Sequence, residues 1–258
     1  MTQSTMTDLG RHADAVAGLP GDLASIVATV QGLFIHEGWA ERYGVKVARP
    51  ETANLRRTAE LLDAAGDRPL GEAREPADRV ATMCRSFSVV TAAMLRAHGA
   101  DARARAGFAT YFLDGFHEDH WVVELRDGDR WRLADPQIDA LQRAALKLDF
   151  DPLDVPRDRF VVGPDAWRAI RSGTADPDSF GFSGDPALRG EWFVARSVVL
   201  DRAARAGFEA LPWDAWDPMP GPDDEVDVAL FDRIASGAEP VVIPAEVLNT
   251  RRRTREKL

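Results

Sequence analysis

The sequence contains one cysteine, Cys84, and its surroundings suit a nucleophile. Thr82 precedes it by two residues and an apolar stretch with helical spacing follows, so Thr82 is predicted to cap a helix whose first turn carries the thiol. The partial positive charge at a helix N-terminus, together with the neighbouring Arg85, favours a thiolate. The alternative is a buried cysteine that packs as a small apolar side chain.

A base for this thiol is predicted on a β-hairpin. Residues 120–135 alternate as two strands on either side of Asp127-Gly128, which is a strong signal for a two-residue turn. That turn, or a four-residue loop around it, puts His120 directly opposite Asp135. Opposed side chains have Cβ atoms about 4.5–5.5 Å apart, so the aspartate can orient the imidazole and stabilise its protonated form. The alternative is a polar pair at the edge of a sheet.

Cys84, His120 and Asp135 together supply the residue types of a catalytic triad. In such a triad the thiolate attacks a carbonyl carbon, the histidine transfers the proton and the carboxylate orients the histidine. A metal site at His117 and His120 is disfavoured, because residues three apart on a strand point to opposite faces and a third ligand would be needed. The two acidic residues between these histidines are interpreted as capping or solvent-facing.

The segments around the three residues resemble the transglutaminase-like superfamily. Their sequences are CRSFSVVTAAMLRAHGADARARAGFATYF, EDHWVVEL and WRLADPQID, all within residues 75–140. The separations, 36 residues from Cys84 to His120 and 15 from His120 to Asp135, are similar to those of that family. The flanking sequences resemble a bacterial branch of it. Ser86 departs from the pattern, since bacterial members often carry an acidic residue two positions after the cysteine.

The resemblance implies a papain-like core, in which a helix carrying the cysteine packs on an antiparallel sheet carrying the histidine and the aspartate. It implies acyl transfer through a thioester on Cys84, from a small-molecule or peptide acyl substrate to water or an amine, without a cofactor or a metal. The backbone N–H of Cys84 would be one oxyanion donor, and Gln31 is a candidate for the second. The alternative for Gln31 is an ordinary polar position on the first helix.

Four other residues are candidates for binding substrate. Arg103 and Arg105 share one face of a predicted strand and could hold a carboxylate or a phosphate group. The alternative is that both pair with the surplus acidic residues. Trp213 and Trp216 lie in a proline-rich loop, where packing is less obviously the reason for a large ring, and could contact substrate.

The order of the elements favours an α+β fold, with N-terminal helices packed on an antiparallel sheet and a C-terminal extension of helices and loops. Helices are predicted over residues 23–34, 53–65, 82–98, 165–171 and 191–206, and strands over 102–112, 120–126 and 130–135. The predicted organisation is a flexible N-terminus (1–20), a single domain (21–245) with its catalytic core at about 75–140, and a basic tail (246–258).

Composition excludes several classes of protein. The 258 residues include 32 Lys and Arg against 42 Asp and Glu, and the resulting net charge of −10 disfavours binding to nucleic acid or to anionic lipid. The sequence has no apolar run of about 18 residues and no signal-peptide pattern, so we expect a cytoplasmic protein without a membrane span. A single cysteine excludes an intramolecular disulfide and a multi-cysteine zinc site.

The sequence therefore predicts a cysteine-dependent enzyme that hydrolyses an amide or ester, or passes the acyl group to an amine. One alternative is a catalytically inactive fold of the same type that binds a protein or a peptide. Another is a cysteine that forms a stable conjugate or senses oxidants. The motifs of serine hydrolases, P-loop enzymes and dinucleotide-binding proteins are absent from the sequence, and the oligomeric state is left open.

Overall fold

The structure, a computed structural model, describes residues 4–258 and confirms the α+β class, with 41% helix and 18% strand. The α-helices are α1 (Ala13–Ala17), α2 (Leu23–Leu33), α3 (Thr58–Ala64), α4 (Cys84–Ala97), α5 (Ala140–Leu146), α6 (Gly163–Arg171), α7 (Glu191–Arg205) and α8 (Val228–Ser236). The strands are β1 (Phe34–His36), β2 (Val80–Thr82), β3 (Ala102–Ala109), β4 (His117–Asp127), β5 (Arg130–Ala134), β6 (Phe160–Val162), β7 (Phe180–Gly181), β8 (Asp214–Ala215), β9 (Glu246–Asn249) and β10 (Thr254–Lys257). In the part of the chain that the structure describes, no helix combines the length and the apolar character needed to cross a membrane.

The chain divides into two compact units, whereas the sequence predicted one domain over 21–245. The first unit runs to Ala104 and resumes over Val122–Val155, and the second comprises Arg105–Trp121 and Pro156–Leu258. Two of the three boundaries fall inside β3 and β4, and the third lies between Val155 and Pro156, in the segment before β6. Composition carries no signal of the first two, because the sequence on both sides of each is strand sequence.

Helices α2, α3 and α4 contribute most of the core of the first unit. Along α2 the buried apolar residues recur at helical spacing: Leu23, Ile26, Val27, Val30 and Leu33. Asp22 caps this helix by accepting a hydrogen bond from the Ser25 backbone N–H at 3.0 Å. The predicted helix over 23–34 is confirmed to within one residue, because periodicity and cap agree.

The hairpin of β4 and β5, also in the first unit, has a different register from the predicted one. Asp127 pairs with Arg130 and Val123 with Ala134, so the two turn residues are Gly128 and Asp129. Gly128 has φ 59°, a left-handed conformation that favours glycine at the first position of such a turn.

The prediction of a turn at Asp127-Gly128, with His120 opposite Asp135, is therefore wrong by two residues. If the observed register is continued beyond the last pair, Asp135 falls opposite Val122. Because the displacement is an even number of residues, it leaves unchanged which side chains share a face of the hairpin.

Short strands and three helices make up the second unit. The end of β3 pairs antiparallel with β6, and the start of β4 pairs in parallel with β7. Phe108 and Phe180 meet edge to face in its core, with ring centroids 5.1 Å apart. Helix α6 begins at Gly163, where a Cβ would lie 2.4 Å from the backbone oxygen of Ser197 in α7. Only glycine therefore allows these two helices to approach so closely.

The segments predicted as a flexible N-terminus and as a basic tail both contain residues with defined structure. Residues 1–3 of the predicted flexible N-terminus lie outside the described residues, but Met6 and Val16 are buried, and the Thr58 hydroxyl donates a hydrogen bond to the Met6 backbone oxygen at 2.9 Å. In the predicted basic tail, β9 pairs antiparallel with β10 and Val247 is fully buried. A few buried side chains thus anchor segments whose overall composition is polar.

Candidate active site

Cys84 lies in the first turn of α4, as the sequence predicted, but it is the first residue of the helix, and the residue that precedes the helix is Met83, not Thr82. Thr82 is the last residue of β2 and pairs with His36 of the parallel strand β1. The predicted cap is wrong because a residue held in a strand ladder two positions before the helix is too early to cap it. The free thiol is buried, with Cys84 5% exposed.

Buried polar groups surround the start of α4. Arg85 is fully buried, and its guanidinium donates a hydrogen bond to the Arg56 backbone oxygen at 2.7 Å. Ser86, the position where the sequence departs from the transglutaminase-like pattern, is also fully buried, and its hydroxyl has no hydrogen-bond partner within residues 4–258. A carboxylate at position 86 would therefore be buried, at a high desolvation cost.

Asp135 belongs to the first unit, follows directly after β5 and is fully buried. Its carboxylate accepts a hydrogen bond from the Gln137 backbone N–H at 3.0 Å, and its own N–H donates to the Pro152 backbone oxygen at 2.7 Å. Gln31 of α2 contacts the loop that follows Asp135. The backbone on both sides of the carboxylate is thus held in place.

Gln31 donates hydrogen bonds from its Nε2 to the backbone oxygens of Pro136 and Ile138, each at 3.1 Å. Both N–H groups of the side-chain amide are therefore engaged by the loop that follows Asp135. The oxyanion role predicted for Gln31 would require one of these hydrogen bonds to break. What the observed contacts assign to Gln31 is the positioning of the loop.

A chain of polar side chains continues from this loop. Gln137 donates to the Gln142 amide oxygen at 3.0 Å, and Gln142 donates to the Tyr43 hydroxyl at 3.2 Å. Tyr43 in turn donates to Asp139 at 2.7 Å. Burial, together with this hydrogen bond to Asp139, raises the pKa of Tyr43, so the phenol stays protonated and remains a donor.

His120 belongs to the second unit, where it is 2% exposed in β4. Its imidazole lies among aromatic rings, with centroid distances of 4.8 Å to Phe112, 6.1 Å to Tyr111 and 6.4 Å to Phe160, all in tilted or edge-to-face orientations. Such contacts restrict the orientation of the imidazole ring. The sequence predicted a strand here but not this aromatic surrounding.

The acidic neighbours of His120 are less solvated than the sequence suggested. Glu118 is 9% exposed and accepts hydrogen bonds from the Ser183 backbone N–H at 3.1 and 3.2 Å. Burial raises the pKa of Glu118, while Ser183 and His120 act in the opposite direction. Burial and the adjacent charge of Glu118 raise the pKa of Asp119 to about 7, against the effects of His120 and Arg196. Glu118 is therefore buried and holds the backbone at Ser183 instead of facing solvent, whereas Asp119 is partly exposed.

The imidazole of His117 lies against an aromatic ring. Its ring stacks on Phe180 with centroids 4.1 Å apart, and burial lowers the pKa of His117. Across residues 4–258, no cluster of three or more His, Cys, Asp or Glu side chains is arranged to hold a metal ion.

Both arginines predicted to bind substrate are engaged by carboxylates. In the first unit, Arg103 pairs with Glu124 at 2.7 Å and lies 4.0 Å from the ring centroid of Trp131. In the second unit, Arg105 makes two hydrogen bonds to the fully buried Asp201, at 2.7 and 3.0 Å. The alternative reading, pairing with acidic residues, is the one that the structure supports.

The two loop tryptophans differ from each other. Trp213 is half-buried, and the Arg251 guanidinium lies 4.7 Å from its ring centroid. Trp216 is 9% exposed, and its Nε1 donates a hydrogen bond to the Val242 backbone oxygen at 3.1 Å. Trp216, but not Trp213, contributes to the wall of a cavity of about 650 Å³ inside the second unit.

No family model matches this chain. Comparisons with curated proteins and with solved structures likewise give no significant match. The resemblance to the transglutaminase-like superfamily therefore stays a prediction that rests on the residues quoted above.

Proposed function

We propose that the protein is a cysteine-dependent acyl-transfer enzyme with Cys84 as its nucleophile. The observation that carries this proposal is the position of Cys84 as the first residue of the 14-residue helix α4. The partial positive charge at the start of a helix stabilises a thiolate, and the first backbone N–H groups have no partner within the helix. One place in the fold thus offers both a nucleophile and a donor for an oxyanion.

The proposed reaction proceeds through a thioester. The Cys84 thiolate attacks the carbonyl carbon of an amide or ester, and the negative charge that develops on the carbonyl oxygen is stabilised by the Cys84 backbone N–H. His120 transfers a proton to the leaving group. Water or an amine then attacks the thioester and gives up a proton to His120, the carbon–sulfur bond breaks, and the sulfur leaves as the thiolate.

Asp135 is proposed to orient His120 and to stabilise its protonated form. The support is that Asp135 is fully buried and that Gln31 fixes the loop after it, so the direction of the carboxylate is well defined. The mechanism requires His120 of the second unit to exchange a proton with Cys84 of the first. A papain-like arrangement, membership of the transglutaminase-like superfamily and a cytoplasmic location are parts of the same proposal.

The test is the pH dependence of alkylation by iodoacetamide, followed by intact mass. Because Cys84 is the only cysteine, every added group reports on it. We expect the folded protein to react at pH 6 at a rate within a few-fold of the rate at pH 8, and His120→Asn to slow the reaction at pH 6 by at least about tenfold. An activated ester such as p-nitrophenyl acetate should transfer one acetyl group to Cys84.

His98→Asn is the matched control. His98 follows Cys84 by 14 residues, about 20 Å along the helix axis at 1.5 Å per residue, so its loss should leave the alkylation rate unchanged. An equal rate at pH 6 in wild type and His120→Asn would overturn the proposal. So would a thiol that reacts only after the protein unfolds, which would favour the alternative of a non-catalytic fold with a core cysteine.

A further inference from the structure

The second unit contains a cavity that none of the proposed triad residues lines. Its volume is about 650 Å³, and it is bounded by the loop after β8, by α8 and by strands β9 and β10. Six large apolar side chains contribute to its wall: Trp216, Met219, Leu230, Ile234, Val242 and Leu248. Cavities of roughly 300–1,000 Å³ with mostly apolar walls are typical of sites for small molecules.

Apolar surface is exposed to solvent around this cavity. Val242 is 74% exposed, Ile243 39% and Leu248 36%. These three are half of the six large apolar side chains that are exposed within residues 4–258, although they come from a stretch of only seven residues. Single exposed apolar residues are ordinary, but a cluster of them beside a cavity marks a site for an apolar ligand.

The charges on the cavity wall leave one carboxylate without an ion pair. Glu246 pairs with Arg255 at 3.5 Å. Glu239 also lines the cavity and pairs with Arg233 at 3.3 Å. Asp217 is exposed and forms no ion pair in the described part of the chain. The net charge that remains at the cavity is therefore negative and favours a cation.

The aromatic part of the wall is held in place before any ligand binds. The indole N–H of Trp216 donates to the Val242 backbone oxygen, and the ring meets Phe208 edge to face at 5.5 Å. A rigid aromatic wall loses little conformational entropy on binding. An indole next to a carboxylate also suits a cation, because aromatic faces attract positive charge.

We propose that this cavity binds a small-molecule amine that carries an apolar group. The apolar group packs against Trp216, Val242 and Leu248, and the ammonium group pairs with Asp217. This proposal does not depend on any reaction at Cys84, because every residue that forms the cavity lies in the second unit.

Three probes that share one apolar body test this assignment: phenylpropylamine, phenylpropanol and phenylpropionate. Calorimetric titration of the whole protein at low salt should give a single site for the amine, weaker binding of the alcohol and the weakest binding of the carboxylate. A partly exposed ion pair accounts for a factor of at most about five between amine and alcohol. Equal or tighter binding of the carboxylate would overturn the proposal, as would the absence of saturable binding of the amine.

Two variants assign the binding to this cavity. Asp217→Asn should lower the affinity for the amine to that for the alcohol without changing the affinity for the alcohol, whereas Leu248→Ser should weaken the binding of all three probes. The controls are Asp223→Asn and Leu113→Ser, which alter an exposed acid and an exposed leucine that do not line the cavity. Unchanged binding of the amine to Asp217→Asn, or equal losses in Leu113→Ser and Leu248→Ser, would contradict the assignment.

Discussion

The carboxyl group of Asp119 should make the stability of the protein depend on pH between about 4 and 7. Its pKa is raised from an ordinary value of 3.8 to about 7, first by burial and then by the charge of Glu118. A carboxyl group whose pKa is higher in the folded state than in the unfolded state favours folding while it is protonated. That stabilisation is complete below pH 3.8 and is lost as the pH rises to about 7.

The size of the effect follows from the interval between the two pKa values. At about 1.4 kcal/mol for each pH unit, the full interval corresponds to roughly 4 kcal/mol. Asp119 is partly exposed, so water screens its charge, and we expect about 1–2 kcal/mol. A neutral amide of the same shape does not titrate, so the difference between wild type and Asp119→Asn isolates this residue.

The assay is urea denaturation of wild type and Asp119→Asn at intervals between pH 4 and pH 8, with the free energy of unfolding taken from the midpoint and slope. Relative to the variant, wild type should lose about 1–2 kcal/mol between pH 4 and pH 8. Asp114→Asn alters an exposed aspartate in the loop before β4, and its free energy of unfolding should change with pH as that of wild type does. A difference between wild type and Asp119→Asn that stays constant within about 0.5 kcal/mol would refute the reasoning.

Two further predictions concern packing in the second unit. Arg105→Met leaves the carboxylate of Asp201 buried without its cation and should lower the free energy of unfolding by about 3–5 kcal/mol in chemical denaturation. Adding Asp201→Asn should restore much of the loss, and a double variant no more stable than Arg105→Met would contradict this account. Gly163→Ala should lower the free energy of unfolding by about 1–3 kcal/mol, and with it the melting temperature, because the new Cβ would lie 2.4 Å from the Ser197 backbone oxygen. In Gly18→Ala the nearest atom is 3.6 Å from the new Cβ, so an equal loss there would mean that the clash is not the cause.

Elements with a strong periodic signal could be predicted from the sequence. The helices predicted over 23–34 and 191–206 are confirmed to within one residue as α2 and α7. The reason is that apolar residues at helical spacing act over many positions, so one ambiguous residue changes little. Strands β1 and β2 were not predicted, because three residues are too few for a pattern, and helix α5, of seven residues, was not predicted either.

The predicted register of the hairpin depended on which two residues form the turn, so one wrong choice was enough to change it. Asp127-Gly128 and Gly128-Asp129 are both accepted two-residue turns, one with glycine in the second position and the other with glycine in the first. The φ of Gly128 decides between them, and a sequence contains no φ. A single choice at the turn moved the whole ladder by two residues.

Contacts between residues that are far apart in the sequence could not be predicted, for a different reason. Arg105 meets Asp201, 96 residues later, and Gln31 meets Ile138, 107 residues later. The excess of acidic over basic residues made pairing the reasonable alternative for Arg105, but it could not identify the partner. For Glu118 a signal was present: on an extended strand it shares a face with His120 and Val122, so burial of that face implies burial of Glu118.

The support around Asp135 bears on whether its carboxylate is structural or functional. A fully buried carboxylate is costly unless hydrogen bonds compensate for lost water, and an asparagine could accept the Gln137 N–H at lower cost. The loop that carries it is fixed by Gln31, whose two amide hydrogen bonds hold the backbone at Pro136 and Ile138. A buried carboxylate held in one orientation contributes less to the stability of the fold than a neutral side chain would. The same fixed orientation is what a carboxylate needs if it is to orient a base. If Asp135 has the proposed role, Asp135→Asn should slow the alkylation of Cys84 at pH 6 while leaving the free energy of unfolding, measured by urea denaturation, nearly unchanged.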